Sequence, residues 1–289
     1  MQKNDNQIAI LMATYNGEKY LREQIDSLFA QTYQDWHLYV HDDGSKDDTV
    51  SIVREYIVKN PKKVTLVDYP SQGGACKNFL SMLERIEAPY YMFCDQDDVW
   101  MPEKITKAYE SMKKLELQNP AIPITINTDL IVVNKDKEII AKSFWRYQNI
   151  DTNWIKKYSD HAALQYVTGC TMLFNKKAKE IVKFHHDEAT MHDSWIALSV
   201  AANNGIIMNM HESQILYRQH GNNAVGQANS FRAVWKSRIE NVKKNECIRS
   251  RLAKELLNGY PDDMTPENLA LTRMVANYKD SFGAWMRLL

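Results

Sequence analysis

The first hundred residues alternate between short apolar runs and segments whose apolar positions recur at helical spacing. Continuous apolar runs are typical of strands that are buried on both faces of a parallel sheet. They predict four strands, at residues 8–13, 36–40, 64–67 and 90–94. Helical patterns fill the intervals, so the order of elements predicts an α/β fold with a doubly wound, mostly parallel sheet, right-handed crossovers and flanking helices.

The rest of the chain is less regular. Shorter apolar runs predict further strands, at residues 122–126, 129–133, 171–174, 206–210 and 213–217. A helix is predicted to begin at His192, and a helical pattern with many basic residues covers 231–257. A last helix is predicted to begin near Thr265, because Pro266 then occupies a position where helices favour proline.

Composition and charge narrow the class of protein. Of the 289 residues, 44% are hydrophobic and 25% are charged, as in ordinary globular proteins. Lysine plus arginine and aspartate plus glutamate both number 36, so no field of one sign indicates a nucleic-acid partner. The four cysteines have no short metal-binding spacing and are interpreted as reduced thiols of a cytoplasmic protein. Neither a signal peptide nor a membrane-spanning run is expected.

Polar clusters follow each of the four predicted strands. They are Thr14-Tyr15-Asn16, Asp42-Asp43, Gly73-Gly74 and the stretch Asp95-Gln96-Asp97-Asp98, which we call the acidic stretch. In doubly wound sheets, ligands bind beyond the carboxyl ends of the strands. Because parallel strands place those ends along one rim, we expect the four clusters to converge on one ligand site.

The acidic stretch is the strongest single indication of chemistry. Three carboxylates within four residues repel one another unless a cation lies between them. Two aspartates separated by one residue at a strand end would suit Mg²⁺ or Mn²⁺ bound against a diphosphate. The alternative is a solvated acidic turn that caps the following helix.

Five motifs carry a resemblance to a known family. They are ATYNG at 13–17, DDGSKDDT at 42–49, DQDDVW at 95–100, DSW at 193–195 and YRQHGNN at 217–223. With them the chain resembles family 2 glycosyltransferases of the GT-A fold, and within these the bacterial rhamnosyltransferase-like group. The resemblance implies a GT-A domain at 1–226, with a nucleotide-binding half at about 7–100 and an acceptor half at about 101–226. Residues 227–289 would form a C-terminal helical extension.

The same resemblance implies an inverting, metal-dependent hexosyltransferase. Its donor would be a nucleoside-diphosphate sugar, with dTDP-L-rhamnose favoured over a UDP-sugar. Its acceptor would be a hydroxyl of a surface polysaccharide or of a lipid-linked oligosaccharide. A nucleotidyltransferase is disfavoured, because it needs a Gly-rich basic phosphate loop where this chain has Thr14-Tyr15-Asn16-Gly17. The other alternative, a non-catalytic protein that binds nucleotide sugars, predicts loss of Asp97 or of the catalytic base, and both positions are occupied.

The resemblance implies that the donor is bound by residues at the strand ends and by one residue near the end of the domain. They are Thr14, Tyr15, Asn16, Asp42, Asp43, Gly74, Asn78, Asp95, Gln96 and Arg218. Asp43 would accept a hydrogen bond from the N3–H of uracil or thymine, and Asp95 would bind the ribose. Two alternatives stay open, namely an Asx turn and helix cap at Asp42 and Asp43 and a plain helix N-terminus at Gly74.

For metal binding, the resemblance implies that Asp97 and His220 hold a divalent cation, Mg²⁺ or Mn²⁺. Asp98 would support its neighbours or cap the next helix. The alternative for His220 is a histidine that is satisfied within a loop.

For catalysis, the resemblance points to Asp193 as the general base that takes the proton of the acceptor hydroxyl, with His192 and Glu188 as rivals. A helix cap at Asp193 is compatible with that role. The acceptor side is expected to include Trp100, Gly169, Cys170 and Trp195. The two tryptophans would stack on sugars unless they belong to the core.

The C-terminal extension does not match the family motifs, and its helical pattern is basic. One hypothesis is that this surface rests on the inner face of the cytoplasmic membrane, where a lipid-linked acceptor would be presented. The alternative is a helical lid or an oligomer contact with solvated charges.

Overall fold

A mixed sheet, nine-stranded within the residues that the structure describes, forms the centre of the molecule. The structure is a computed structural model that describes residues 5–164, 166–182, 191–220, 248–260, 262 and 264–277. The strands are β1 (Ile8–Thr14), β2 (Trp36–Asp42), β3 (Val64–Leu66), β4 (Tyr90–Cys94), β5 (Val99–Trp100), β6 (Ile124–Val133), β7 (Ile139–Ala141), β8 (Leu173–Asn175) and β9 (Ile206–Arg218). Their order across the sheet is β3-β2-β1-β4-β8-β6-β9-β5, and β7 pairs with β6.

Helices cover both faces of this sheet. They are α1 (Glu18–Phe29), α2 (Thr49–Lys59), α3 (Ala75–Arg85), α4 (Lys104–Gln118), α5 (Phe144–Tyr147), α6 (Tyr158–Ala163), α7 (Lys176–Ile181), α8 (His192–Ala202), α9 (Ile248–Gly259) and α10 (Pro266–Ala276). Two short 3₁₀ turns lie at Thr152–Trp154 and Gly169–Thr171. Alternate residues of β1 enter two separate hydrophobic cores, one shared with α1, α2 and α4 and the other with α3, α8 and α9.

The four parallel strands predicted from the first hundred residues are confirmed. β1 pairs in parallel with both β2 and β4, and β2 pairs in parallel with β3. The register places Thr14 opposite Asp42 and Met12 opposite Cys94. The carboxyl ends of β1, β2 and β4 therefore meet at one rim, as the sequence predicts.

The later strands differ from the prediction. The two strands predicted within 122–133 are one strand, β6, and those predicted within 206–217 are one strand, β9. β8 pairs antiparallel with β4 and β6, and β5 pairs antiparallel with β9, so the sheet is mixed. The predicted break falls at Asn127 and Thr128, two polar residues that are buried inside β6, where Asn127 Nδ2 donates to Asn209 Oδ1 of β9 at 3.3 Å.

The described part of the C-terminal extension packs on the domain. Leu252 and Leu256 of α9 join the core beneath α8, and the Tyr260 hydroxyl donates to the carbonyl of Ile181 at 2.5 Å. Helix α10 begins as predicted, with the side chain of Thr265 accepting from the backbone N–H of Asn268. Most of the basic helical pattern, 231–247, lies outside the described residues. None of the helices in the described ranges has the length and apolar character needed to cross a bilayer.

Candidate active site

The loops that follow β1 and β2 are joined by hydrogen bonds. Asn16, with a φ of 47°, donates its backbone N–H to Ser45 Oγ at 2.8 Å and accepts from the backbone N–H of Lys46 at 2.9 Å. Asparagine tolerates this left-handed conformation better than most residues. Thr14 Oγ1 donates to Asp42 Oδ1 at 2.9 Å. The predicted donor residues of these two strands thus form one connected rim.

Asp42 is committed to the turn that follows it. Its Oδ2 accepts from the backbone N–H groups of Gly44 and Ser45, and its Oδ1 accepts from the Ser45 hydroxyl at 2.6 Å. This arrangement is the Asx-type turn that the sequence offered as an alternative. Asp42 therefore fixes the loop that carries Asp43.

Asp43 organises the loop before α3. Its Oδ1 accepts from Ser71 Oγ and from the backbone N–H groups of Gln72 and Gly73, and its Oδ2 accepts from the N–H of Gly74 at 2.7 Å. Burial raises the pKa of Asp43, but these hydrogen bonds outweigh burial and hold the pKa below its usual range. The described contacts leave Oδ2 with one remaining acceptor direction, which is compatible with a base N–H.

Asn78 lies behind the rim, which corrects its expected place among donor-binding residues. It is 1% exposed, and its Oδ1 is 2.8 Å from Nδ1 of His41. The His41 ring in turn stacks on Tyr69 with ring centroids 3.6 Å apart. A side chain buried in this way supports the loop from below and has no exposed surface for a nucleotide.

Gln96 clamps the β1–α1 loop. Its Oε1 accepts from the backbone N–H of Tyr15 at 2.9 Å, and its Nε2 donates to the carbonyl of Tyr15 at 3.0 Å. A Cβ on Gly17 would lie 2.2 Å from Oε1 of Gln96, which explains the glycine at that position. The amide expected to contact the donor is thus already paired with backbone.

The acidic stretch gathers carboxyl groups that repel one another. Burial, followed by the charges of Asp97 and Asp193, raises the pKa of Asp95 to about 7. Burial, Asp97 and Asp95 raise the pKa of Asp98 well above its usual range.

Ligand atoms of Asp95, Asp98 and Cys170 all lie within 4.8 Å of one another. Within the described residues, Asp98 Oδ2 is buried without a hydrogen-bond partner. A positive charge placed in this cluster would therefore be electrostatically favourable.

Cys170 belongs to this cluster, which corrects its expected place on the acceptor wall. The side chain is 1% exposed. Burial and the charges of Asp98 and Asp95 raise the pKa of its thiol. We therefore place it on the floor beneath the acidic stretch.

The structure brings together the two residues predicted to bind metal. His220 Nε2 lies 2.7 Å from Asp97 Oδ2, although the residues are 123 positions apart in sequence. The His220 ring stacks on Tyr20 with ring centroids 5.1 Å apart. A carboxylate and an imidazole nitrogen beside further carboxylates form a donor set that fits Mg²⁺ or Mn²⁺. The contact equally satisfies His220 within its loop, so its role as a ligand stays a prediction.

Arg218 is a structural anchor, which corrects the expectation that it meets the donor. Its side chain is 3% exposed. Nε donates to the carbonyl of Asp97 and Nη1 to the carbonyl of Lys135, both at 2.8 Å, while Nη2 donates to Glu23 Oε2 at 2.5 Å. Its backbone N–H donates to Asp98 Oδ1 at 3.0 Å. The guanidinium therefore holds the acidic stretch in place from within the protein.

No motif indicates Tyr20 or Glu23, yet both belong to the surroundings of the pair formed by Asp97 and His220. Tyr20 lies under His220 and also under the Arg218 guanidinium, whose Cζ is 4.6 Å from the ring centroid. Glu23 pairs with Arg218. In the sequence, Tyr20 occupies an ordinary apolar position of α1 and Glu23 an ordinary polar one. No sequence pattern therefore indicates their place in the site.

Asp193 is the second residue of α8, close to the acidic stretch. Its Oδ2 accepts from the backbone N–H of Gly169 at 3.0 Å, and its Oδ1 accepts from the N–H of Ser194 at 2.6 Å. Its charge contributes to the raised pKa of Asp95, so the two carboxylates are near neighbours. Gly169 is buried and supports the predicted base through its backbone.

The rival bases are less well placed. His192 and Asp193 are equally buried, at 6% and 5% exposure, but the His192 ring packs between Phe79 and Phe93, at ring-centroid distances of 4.3 and 4.7 Å. Burial lowers the pKa of its imidazole. Glu188 lies outside the described residues. Asp193 therefore remains the candidate base.

Trp100 and Trp195 are core residues, which corrects their expected place on the acceptor side. They are 2% and 1% exposed, so neither presents a face on which a sugar could stack. Trp100 packs with α1 and α4 on one side of the sheet, and Trp195 packs in the opposite core.

A buried lysine lies behind the acidic stretch. Lys104 is fully buried, with Nζ 3.7 Å from the centroid of the Trp100 ring and without a hydrogen-bond partner among the described residues. Burial lowers the pKa of Lys104 to about 7, against opposing effects of Cys170, Cys94 and Asp98. This cation is one of the least well solvated charges of the fold.

Lys104→Met should remove a pH-dependent part of the free energy of unfolding. The unfolded lysine titrates near its usual value and the folded one at about 7, so between these values the unfolded chain binds more protons and stability rises with pH. From pH 7 to pH 9, wild type should gain roughly 2 kcal/mol relative to the variant. Urea unfolding at both pH values measures this difference. Exposed Lys114 on the same helix supplies the control, Lys114→Met, and parallel pH curves for wild type and Lys104→Met would contradict the prediction.

Comparison with known proteins identifies the family. The family model described as "Glycosyl transferase family 2" matches residues 9–182. The dTDP-rhamnosyl transferase RfbG of Shigella flexneri is 28% identical over 274 residues, which cover 89% of this chain and 87% of RfbG. The uncharacterized glycosyltransferase RT0329 of Rickettsia typhi is 27% identical over 83% of this chain and 74% of its own length.

Solved structures agree on the fold. TarS 1-349 of S. aureus in complex with UDP-GlcNAc has a TM-score of 0.61 at 16% identity, covering 94% of this chain and 71% of TarS 1-349. The mannosyltransferase PcManGT from Pyrobaculum calidifontis, in complex with GDP-Man and Mn²⁺, has a TM-score of 0.56 at 16% identity, covering 97% and 78%. These likenesses confirm the predicted GT-A type of α/β fold. With the family model matching more than half of its length, the chain belongs to glycosyl transferase family 2 and is a glycosyltransferase.

Proposed function

We propose that this glycosyltransferase is inverting and metal-dependent, and that it transfers a hexose from a nucleoside-diphosphate sugar to a hydroxyl group. The observation that carries the proposal is the convergence of Asp97, His220 and Asp193 around Asp95 at the carboxyl ends of the strands. A metal-ligand pair beside a carboxylate that can act as a base suits a single displacement at the anomeric carbon.

The rim formed by the first two loops would bind the nucleoside. Asp43 keeps an acceptor direction on Oδ2, and hydrogen bonds to its carboxylate favour the charged form that accepts best. Tyr15 and Asn16 would line the same edge, while buried Thr14 would support it through its hydrogen bond to Asp42, and Gly74 would bind Asp43 through its backbone N–H. Asp95 would bind the ribose, as its place at the end of β4 allows.

Asp97 and His220 would hold the divalent cation against the diphosphate. When bound there, the cation supplies positive charge to the phosphates as the leaving group departs. Asp95 and Asp98 add negative charge to the same cluster, which favours a cation there. The Mn²⁺ in the complex of PcManGT supports a divalent cation in this proposal.

Asp193 would accept the proton of the acceptor hydroxyl as that oxygen attacks the sugar. Its carboxylate is oriented by Gly169 N–H and Ser194 N–H, so it is held in one geometry before the acceptor arrives. Attack from the face opposite the leaving group inverts the anomeric configuration.

The favoured donor is dTDP-L-rhamnose, and the alternative is a UDP-sugar. The similarity to the dTDP-rhamnosyl transferase RfbG supports dTDP-L-rhamnose, and the TarS complex with UDP-GlcNAc supports the UDP-sugar alternative. Relatives also include a putative teichuronic acid biosynthesis glycosyltransferase, TuaG, of Bacillus subtilis. We therefore propose a surface polysaccharide or lipid-linked oligosaccharide as acceptor and the cytoplasm, or the inner face of its membrane, as the site of action.

A donor panel tests the proposal. Wild-type protein is incubated with dTDP-L-rhamnose, UDP-GlcNAc, UDP-glucose or GDP-mannose, each with Mn²⁺, with Mg²⁺ or with EDTA. Thermal shift and release of nucleoside diphosphate are measured. The expected result is the largest metal-dependent response with dTDP-L-rhamnose. A larger response to a UDP-sugar would overturn the rhamnose assignment, and no response to any donor would overturn the proposed donor class.

A further inference from the structure

Gly169 and His192 are in unusually close contact beside the candidate base. A Cβ added to Gly169 would lie 2.4 Å from Nε2 of His192 and 3.1 Å from its Cε1. Carbon atoms of real side chains do not approach ring atoms so closely. Any side chain at position 169 must therefore displace either the imidazole or the backbone of this turn.

The imidazole cannot yield easily, because aromatic rings hold it on two sides. His192 stacks on Phe79 of α3 at 4.3 Å and contacts the edge of Phe93 of β4 at 4.7 Å. Within the described residues neither ring nitrogen has a hydrogen-bond partner. Leaving buried polar groups unpaired is unfavourable. The His192 ring is thus held by packing against the two phenylalanine rings, and hydrogen bonding does not account for its position.

The same turn carries the N–H that orients Asp193. Gly169 donates to Asp193 Oδ2 at 3.0 Å, and Asp193 directly follows His192 at the start of α8. Gly169 therefore contacts two residues at once: the His192 imidazole lies against its Cα, and the Asp193 carboxylate accepts its N–H. Movement of the turn away from His192 would also move this N–H away from Oδ2.

We propose that Gly169 and His192 form a positioning pair that fixes the carboxylate of Asp193 for proton transfer. The proposal rests on the role of Asp193 as general base. The pair ties the base to α3 and β4, the elements that carry the donor-binding rim and lead into the acidic stretch. Gly169 acts through its backbone, and His192 acts as a rigid filler behind it, so neither needs to touch the substrates.

Gly169→Ala tests the pair, because its methyl group would push the turn off His192. A displacement of about 1 Å at a catalytic group can cost about 10²-fold in rate. We expect kcat for transfer to fall by about that factor, while the KM for the donor changes by less than about threefold. The double variant Gly169→Ala/His192→Ala gives the methyl group room and should recover at least about tenfold of the loss.

Gly205→Ala is the matched control. A Cβ there would lie 2.5 Å from Val200 Cγ1 and 2.6 Å from the carbonyl oxygen of Pro123, so it is equally crowded but lies at the start of β9. It should lower the melting temperature and leave kcat of the folded protein close to wild type. A fall in kcat equal to that of Gly169→Ala would show that crowding alone is responsible and overturn the proposal.

Other outcomes are equally decisive. If Gly169→Ala transfers sugar at the wild-type rate while Asp193→Asn is inactive, the positioning pair is refuted and the base is retained. If Asp193→Asn is active, the proposed base itself fails. Should Gly169→Ala not fold, the double variant decides. Its kcat should lie within about tenfold of His192→Ala, and a larger gap would refute the steric origin of the effect.

Discussion

Asp193→Asn is expected to lower the rate of sugar transfer by about 10²- to 10⁴-fold, the usual contribution of a general base. An amide oxygen can still accept the N–H of Gly169, whereas the amide nitrogen can no longer accept the N–H of Ser194. The amide cannot take up the proton of the acceptor hydroxyl. Initial rates at saturating donor and acceptor measure the loss, and the dissociation constant of the nucleoside diphosphate should stay within about threefold of wild type.

Asp151→Asn provides the control for this variant. Asp151 is an exposed aspartate that also accepts a backbone N–H, that of Asn153, at the start of a short helical turn. Its replacement should leave the rate of transfer unchanged. A loss of donor affinity comparable to the loss of rate in Asp193→Asn would remove Asp193 from the role of base and place it at the donor.

Asp97→Ala is expected to abolish metal-dependent donor binding. The variant loses one proposed ligand and leaves His220 without its 2.7 Å contact. In wild type, donor at one hundred times its dissociation constant should stabilise the fold by about 2.7 kcal/mol when Mn²⁺ is present. In the variant this stabilisation should disappear, as it should in wild type treated with EDTA. Melting temperature with donor and Mn²⁺, and Mn²⁺ binding followed by electron paramagnetic resonance, measure both effects.

Asp136→Ala is the control for Asp97→Ala, because Asp136 is an exposed carboxylate paired only at the surface with Lys135. It should retain the full metal-dependent shift. Retention of that shift in Asp97→Ala would refute the assignment of Asp97 as a metal ligand, whatever the activity of the variant.

The parallel half of the fold could be predicted because its strands are continuous apolar runs. The later strands are predicted only in pieces, because buried Asn127 and Thr128 interrupt the apolar pattern of β6, and exposed His211 and Glu212 interrupt that of β9. Asn127 and Thr128 resemble loop residues in the sequence, yet they lie buried inside β6, where Asn127 Nδ2 donates to Asn209 Oδ1, 82 residues away in β9. Local patterns cannot reveal partners that tertiary structure supplies.

The same limit explains which of the expected site residues lie where the sequence places them. The chain motifs place Asp97 and His220 correctly together, because each follows a strand that ends at the same rim. Arg218 has the charge expected of a phosphate ligand, but its partners are two distant backbone carbonyls and Glu23. Trp100 and Trp195 are of the residue type that stacks on sugars, but they are buried as core residues are. Residue type suggests what a side chain can bind, whereas its direction depends on packing.

The position of β9 also has a consequence for how the protein folds. β9 pairs with β6 on one side and with β5 on the other, and β5 directly follows the acidic stretch. Contacts of such long sequence separation form late, because a large loop must close first. During synthesis the nucleotide-binding rim can therefore assemble well before residue 218 leaves the ribosome, whereas the pair formed by Asp97 and His220 cannot. The chain should pass through a stage at which it is largely folded and the proposed metal ligands Asp97 and His220 are still apart.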